Sequence, residues 1–135
     1  MFYLGVGLAE PIAVIVNEKS ALLSEGKSTL ELKEVKDIYL GKQKFWKNSL
    51  LKPVNQKDKE VLGQFLKKAC EMTISNYQYH WLKMELEEAM ASPKVIEGKG
   101  DIIRYLQNEE TAIAYVWENE ARDISGIKIV LLLSE

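Results

Sequence analysis

Three apolar runs decide what this chain can fold into: Ile12 to Val16 (IAVIV), Ala112 to Trp117 (AIAYVW) and Ile127 to Leu133 (IKIVLLL). Short runs of this kind, rich in β-branched residues, predict strands. Ile12–Val16 has no polar alternation, the pattern of a strand covered on both faces. The intervening segments have helical spacing. Ser28 and Glu31 fit a capping box, Leu32, Val35, Ile38 and Tyr39 follow at helical intervals, and Gly41 supplies the stop. Lys57 to Cys70 carries an apolar stripe of Val61, Leu62, Phe65, Leu66 and Ala69. Ser75 with Gln78 makes a second capping box before Tyr77, Trp81, Leu82, Met84 and Leu86, and Ser92-Pro93 breaks that helix. Gly100 precedes a short helix with Ile102, Ile103, Tyr105 and Leu106. Leu50 to Val54 is a further strand candidate, which Pro53 places at an end or an edge. Strands interleaved with helices predict an α/β fold, a small mixed sheet flanked by helices.

A length of 135 residues suits one domain, and no repeat, low-complexity tract or linker divides it. Cys70 is the only cysteine and His80 the only histidine. An internal disulfide, a Cys-rich zinc site, a multi-His metal centre and a Ser-His-Asp triad on one chain are therefore excluded. The net charge of −2 hides an asymmetry: Lys42 to Lys59 holds six lysines and one acid, whereas Glu85 to Asp123 holds ten acids against four bases. The basic stretch attracts anions at low salt. With only two arginines in the chain, however, the lysines read as solvated surface and nucleic acid is not an expected partner.

Phe2 to Ala9 (FYLGVGLA) is apolar or small throughout, and Glu10-Pro11 interrupts it. It falls short of the roughly 20 residues that cross a bilayer, so stable membrane insertion is not expected. Its Gly7-Leu8-Ala9 end suits a signal peptidase. Residues 1–9 are expected to be the remnant of a secretory signal with its start upstream, and residues 10–135 a single exported domain; the alternative is an extended first strand.

Gly5-Val6-Gly7 lacks the third glycine of a dinucleotide fingerprint, and neither a P-loop nor a G-x-S-x-G turn occurs. Glu85, Glu87 and Glu88 read as a solvated helix face, Cys70 as a small buried hydrophobe, and Trp46, Trp81 and Trp117 as core residues. His80, among Tyr77, Tyr79 and Trp81, has no visible nucleophile beside it and reads as a packing or surface residue. No enzyme is expected, and no metal or cofactor.

The order of segments is more telling. Ile12–Asn17 is followed by Glu31–Lys42 (ELKEVKDIYLGK), Phe45-Trp46, Lys52-Pro53-Val54-Asn55, Phe65–Lys68, Tyr79-His80-Trp81 and Ala112–Val116. Over roughly residues 10–131 this resembles small relatives of the phosphate-binding protein of bacterial ABC transporters, the type II periplasmic binding fold. The resemblance implies one lobe of a protein that normally has two, a periplasmic location and a phosphate-like anion as ligand. It further implies that helix N-termini hold the anion through free amides and the dipole. In that family an Arg follows the second strand and Ser-Gly-Thr opens the next helix. Those positions fall near Gln56 and near Glu60-Val61-Leu62, and none of these elements is present. Glu60 repels an oxyanion and Val61 bars the close backbone approach that Gly permits; Ala114 stands where the family usually has Gly.

Two readings follow. In the first, a solute-binding-like lobe, alone or as a self-paired dimer, takes a small anion at Asn55, Gln56, Lys57, Lys59 and Glu60. In the second, a lobe without ligand is a protein-interaction module with an envelope or transporter partner.

Overall fold

β1 (Ile12–Asn17) has all six side chains buried, and the five apolar ones divide between two cores. Ile12, Val14 and Val16 enter one, Ala13 and Ile15 the other, as the two-residue period of a strand dictates. The computed structural model describes residues 10–23 and 26–134, so the expected signal remnant at residues 1–9 lies outside the described residues.

After β1 come α1 (Leu32–Tyr39), a small hairpin of β2 (Phe45–Trp46) and β3 (Ser49–Leu50), β4 (Lys52–Gln56), α2 (Lys59–Phe65) and α3 (Ile74–Glu88). Then follow β5 (Lys94–Ile96), α4 (Lys99–Asn108), β6 (Ala112–Trp117), the one-turn α5 (Glu118–Ala121) and β7 (Ile127–Leu133). The main sheet has the order β5-β4-β6-β1-β7. β4 is parallel to β5 and β6, whereas β1 is antiparallel to both β6 and β7, so the sheet is mixed as expected. One face packs on Val35, Ile38, Tyr39, Phe65, Tyr77 and Trp81 of the first three helices. The other packs on Ile102 and Leu106 of α4 and Ala121 of α5, where small Ala13, Ala112 and Ala114 permit close approach.

Several expectations shift in register. α1 is capped three residues beyond Ser28, at the far end of the expected box: Glu31 is its N-cap, and the Glu31 N–H donates to Glu34 Oε1 at 2.8 Å. Thr73, not Ser75, caps α3, because Glu71 turns left-handed (φ 57°) and starts the helix early; Thr73 Oγ1 accepts the Asn76 N–H at 3.1 Å. The Lys57–Cys70 helix is α2, capped by Asp58, plus a π turn at Leu66–Cys70 that keeps Leu66, Ala69 and Cys70 all buried. α4 begins at Lys99, so Gly100 lies inside its first turn and Gly98 is the N-cap. The Leu50–Val54 strand is β4, moved on to Gln56; at Pro53 only β6 pairs with it, which suits a residue lacking an N–H.

Gly41 ends α1 at φ 81°, and a Cβ there would lie 2.8 Å from the Trp81 ring and 2.9 Å from Met90 Cε. Gly41→Ala is therefore expected to lose about 2–4 kcal/mol, from the left-handed backbone and the overpacking together. A lower denaturant midpoint at constant m checks this.

Candidate functional site

The regular pairing of β4 with β6 covers Lys52 and Pro53 only, and beyond it side chains bridge the strands. The Tyr39 hydroxyl lies 2.8 Å from Val54 O and 3.1 Å from Ile113 O. Gln56 Nε2 donates to Tyr115 O at 2.7 Å, and the Gln56 N–H reaches the Tyr115 hydroxyl at 3.2 Å. That hydroxyl donates to Asn55 Oδ1 at 2.9 Å, Asn55 Nδ2 donates to the Tyr77 hydroxyl at 2.9 Å, and Tyr77 donates to Tyr39 O at 3.2 Å. Burial raises all three phenols, Tyr77 to about 12, so they stay neutral and hold hydrogen bonds rather than exchange protons. Asn55 and Gln56 are 4% and 7% exposed, and their amides are committed inward.

Because β4, β5 and β6 are parallel, Gln56, Ile96 and Trp117 end on one edge of the sheet, where ligands of α/β proteins gather. A cleft of about 500 Å³ lies there, bordered by Lys57, Asp58, Glu97, Lys99 and Glu120. Three carboxylates thus face two ammonium groups, and Lys57 Nζ sits 3.9 Å from Glu97 Oε1. Asp58 Oδ1 accepts the Glu60 N–H at 2.9 Å and so occupies the positive start of α2 with a carboxylate of the chain itself. At α5, the Glu118 N–H donates to Pro11 O at 2.8 Å and the Asn119 N–H to the Glu10 carboxylate at 3.2 Å. α4 starts at Gly98 without a side-chain cap.

A second, continuous groove of about 520 Å³ runs along α3. It brings together Asn55, Gln56, Lys57 and Lys59, four of the five residues expected at the site; Glu60 is exposed on the first turn of α2 and borders neither cavity. Leu62, Ile74, Leu82, Pro93 and Val95 make most of its wall apolar. Sequence reasoning missed Asp58, although an Asp just before an apolar helical stripe is an N-cap signal. It also missed Glu97, Lys99 and Glu120, which carry no local pattern and meet only through the topology.

His80 and Cys70 belong to the framework. His80 Nε2 lies 2.8 Å from Leu40 O and donates to it at the end of α1. Cys70 is buried, and burial pushes its thiol up to about 11. Among the described residues no helix is long and apolar enough to cross a membrane.

No protein-family model and no curated protein matches the chain. Solved structures do. The fold is similar to that of a phosphate ABC transporter substrate-binding protein from Clostridium perfringens, solved with bound phosphate, at 22% identity and a TM-score of 0.62 over 88% of this chain and 43% of that one. It is also similar to an ABC-type phosphate transport receptor from Vibrio cholerae, at 13% identity and a TM-score of 0.62 over 89% of this chain and 45% of that one. The chain thus spans less than half the length of either protein. The chain has the fold of a single lobe of the phosphate-transporter substrate-binding proteins.

Proposed function

We propose that this chain is a non-enzymatic binding module of the cell envelope that keeps the architecture of a solute-binding lobe but takes a protein segment, not a free oxyanion, as its ligand. The observation that carries this reading is the charge of the strand-end cleft, with Asp58, Glu97 and Glu120 against Lys57 and Lys99. An oxyanion entering that cleft meets more negative than positive charge, and Asp58 already fills the start of α2. The groove along α3 offers the opposite chemistry. Its wall is apolar and open, with Leu82 and Val95 more than half exposed, and contiguous exposed apolar surface marks a protein contact. Lys57 and Lys59 at its rim then select and orient the partner. Export to the periplasm, with residues 1–9 as the end of a secretory signal, completes the reading, and an envelope or transporter protein is the expected partner.

A second reading rests on a different feature. Lys57 and Lys99 flank the uncapped start of α4, where a phosphate-like anion would find positive charge. Calorimetric titration with phosphate, sulfate and small carboxylates, at low and at physiological salt, separates the two. The proposal expects no saturable heat at physiological salt. Saturable micromolar phosphate binding would overturn it and establish the anion site.

A further inference from the structure

The hairpin of β2 and β3 is a separate small sheet that leads straight into Lys52, the first residue of β4. It therefore lies at the end where β4 starts, away from the strand-end cleft at Gln56. Its two faces differ. Trp46 packs against the core, with Lys27 Nζ 5.1 Å from the centre of its ring. By the two-residue period of a strand Phe45 points the other way, and Leu50 is its direct partner in the register. Phe45 is 56% and Leu50 51% exposed. Scattered apolar residues on a surface are ordinary, but these two are a cross-strand pair that shares one outward face.

Around that pair the charge is mostly of one sign. The segment from Lys42 to Lys52 holds Lys42, Lys44, Lys47 and Lys52 and no acid, and all four lysines are exposed. Lys44 and Lys52, with Lys94 and Leu50, also border a cavity of about 440 Å³ that no carboxylate lines. Most acids of the neighbouring elements are engaged: Glu109 with Lys52 at 2.6 Å, Glu34 with Lys27 and Asp37 with Lys33, each at 2.7 Å. Glu88, which precedes the cavity-lining Ala89, is the exposed exception. Among the described residues no carboxylate pairs with Lys42 or Lys44.

We propose that this end of the domain docks on an acidic phospholipid surface, with Phe45 and Leu50 entering the headgroup layer and the lysines around them facing lipid phosphates. The apolar pair alone would suit any hydrophobic partner, and the lysines alone any anion. A layer of anionic headgroups over hydrocarbon answers both. The cations here are all lysines, since Arg104 and Arg122, the two arginines of the chain, lie outside this segment. A point charge on a flexible stem follows the diffuse charge of a fluid layer, whereas a shaped acidic site on a protein favours the arginine fork. Two side chains make an interfacial contact, not a membrane span. Docking at this end is independent of any ligand in the α3 groove or the strand-end cleft.

Flotation with phospholipid vesicles tests this. The chain is expected to float with mixed phosphatidylcholine and phosphatidylglycerol vesicles at low salt, to dissociate as salt is raised, and not to float with phosphatidylcholine alone. Lys42→Glu with Lys44→Glu is expected to weaken binding by about tenfold or more, and Phe45→Ser with Leu50→Ser by about fivefold or more. All four residues are exposed, so both variants should keep the denaturant midpoint of the wild-type chain. A chain that ignores the acidic vesicles at low salt would overturn the docking and leave the patch to an acidic protein. Binding that survives both pairs of substitutions would overturn the place given to the hairpin. Binding that only the lysine pair weakens would overturn it too, because that is adsorption by charge without entry of Phe45 and Leu50.

Discussion

Phe65→Ala is expected to lower the unfolding free energy by about 3–5 kcal/mol, the range for emptying a buried aromatic site. Phe65 is fully buried and lies flat on Tyr115, with ring centroids 3.8 Å apart and planes within 2°. Its edge meets Tyr39 at 4.7 Å, and Tyr39 and Tyr115 are the two phenols whose hydroxyls bridge the splayed part of β4 and β6. Truncation therefore removes transfer energy and leaves a void, and it also loosens the rings that satisfy Val54 O, Ile113 O and Asn55. The melting temperature should fall by about 10–20 °C. Urea unfolding would show a lower midpoint with an unchanged slope, and a loss below about 1 kcal/mol would contradict the central role given to this ring.

Alkaline pH is expected to unfold the protein early. Burial raises Tyr77 from 10.0 to about 12 and Cys70 from 9.0 to about 11, and it raises Tyr39 and Tyr115 as well. In each case the fold favours the protonated, neutral form. Above the unfolded value the folded chain holds more protons than the unfolded one, so stability falls as pH rises. The contribution is fully present below pH 9, where Cys70 begins to ionise in the unfolded chain, and for Tyr77 it is lost between pH 10 and about 12. Tyr77 and Cys70 alone account for about 2–3 kcal/mol each across that window. Unfolding midpoints measured from neutral to strongly alkaline pH check this, and Tyr77→Phe should flatten the upper part of the curve. A wild-type curve that stays flat through the window would show that the phenols ionise as easily folded as unfolded.

The sheet was legible because its inner strands are written in local pattern. Ile12–Val16 has no polar alternation and is buried on both faces, and the runs at 112–117 and 127–133 became β6 and β7 at their expected bounds. β5 was not legible, since three residues between Pro93 and Glu97 carry no periodic signal. Helix starts slipped by two or three residues, because Glu31 and Thr73 were hidden among competing cap residues. That Asn55, Gln56, Lys57 and Lys59 lie together was legible, but the chemistry around them was not. Position along β4 put Asn55 and Gln56 near the strand ends, but only the splay of β4 from β6 explains why their amides turn inward. The repelling carboxylate expected at Glu60 has its nearer counterpart in Asp58, and its companions Glu97 and Glu120 arrive from far along the chain.

The central claim is that the strand-end cleft has ceased to be an oxyanion site while the lobe around it persists. Two-dimensional amide spectra of the chain, recorded during a phosphate titration at physiological salt, test it residue by residue. The account predicts that the amides of Lys57, Asp58, Gly98 and Lys99 stay in place up to millimolar phosphate. Saturable, concerted shifts of those amides at micromolar phosphate would contradict it.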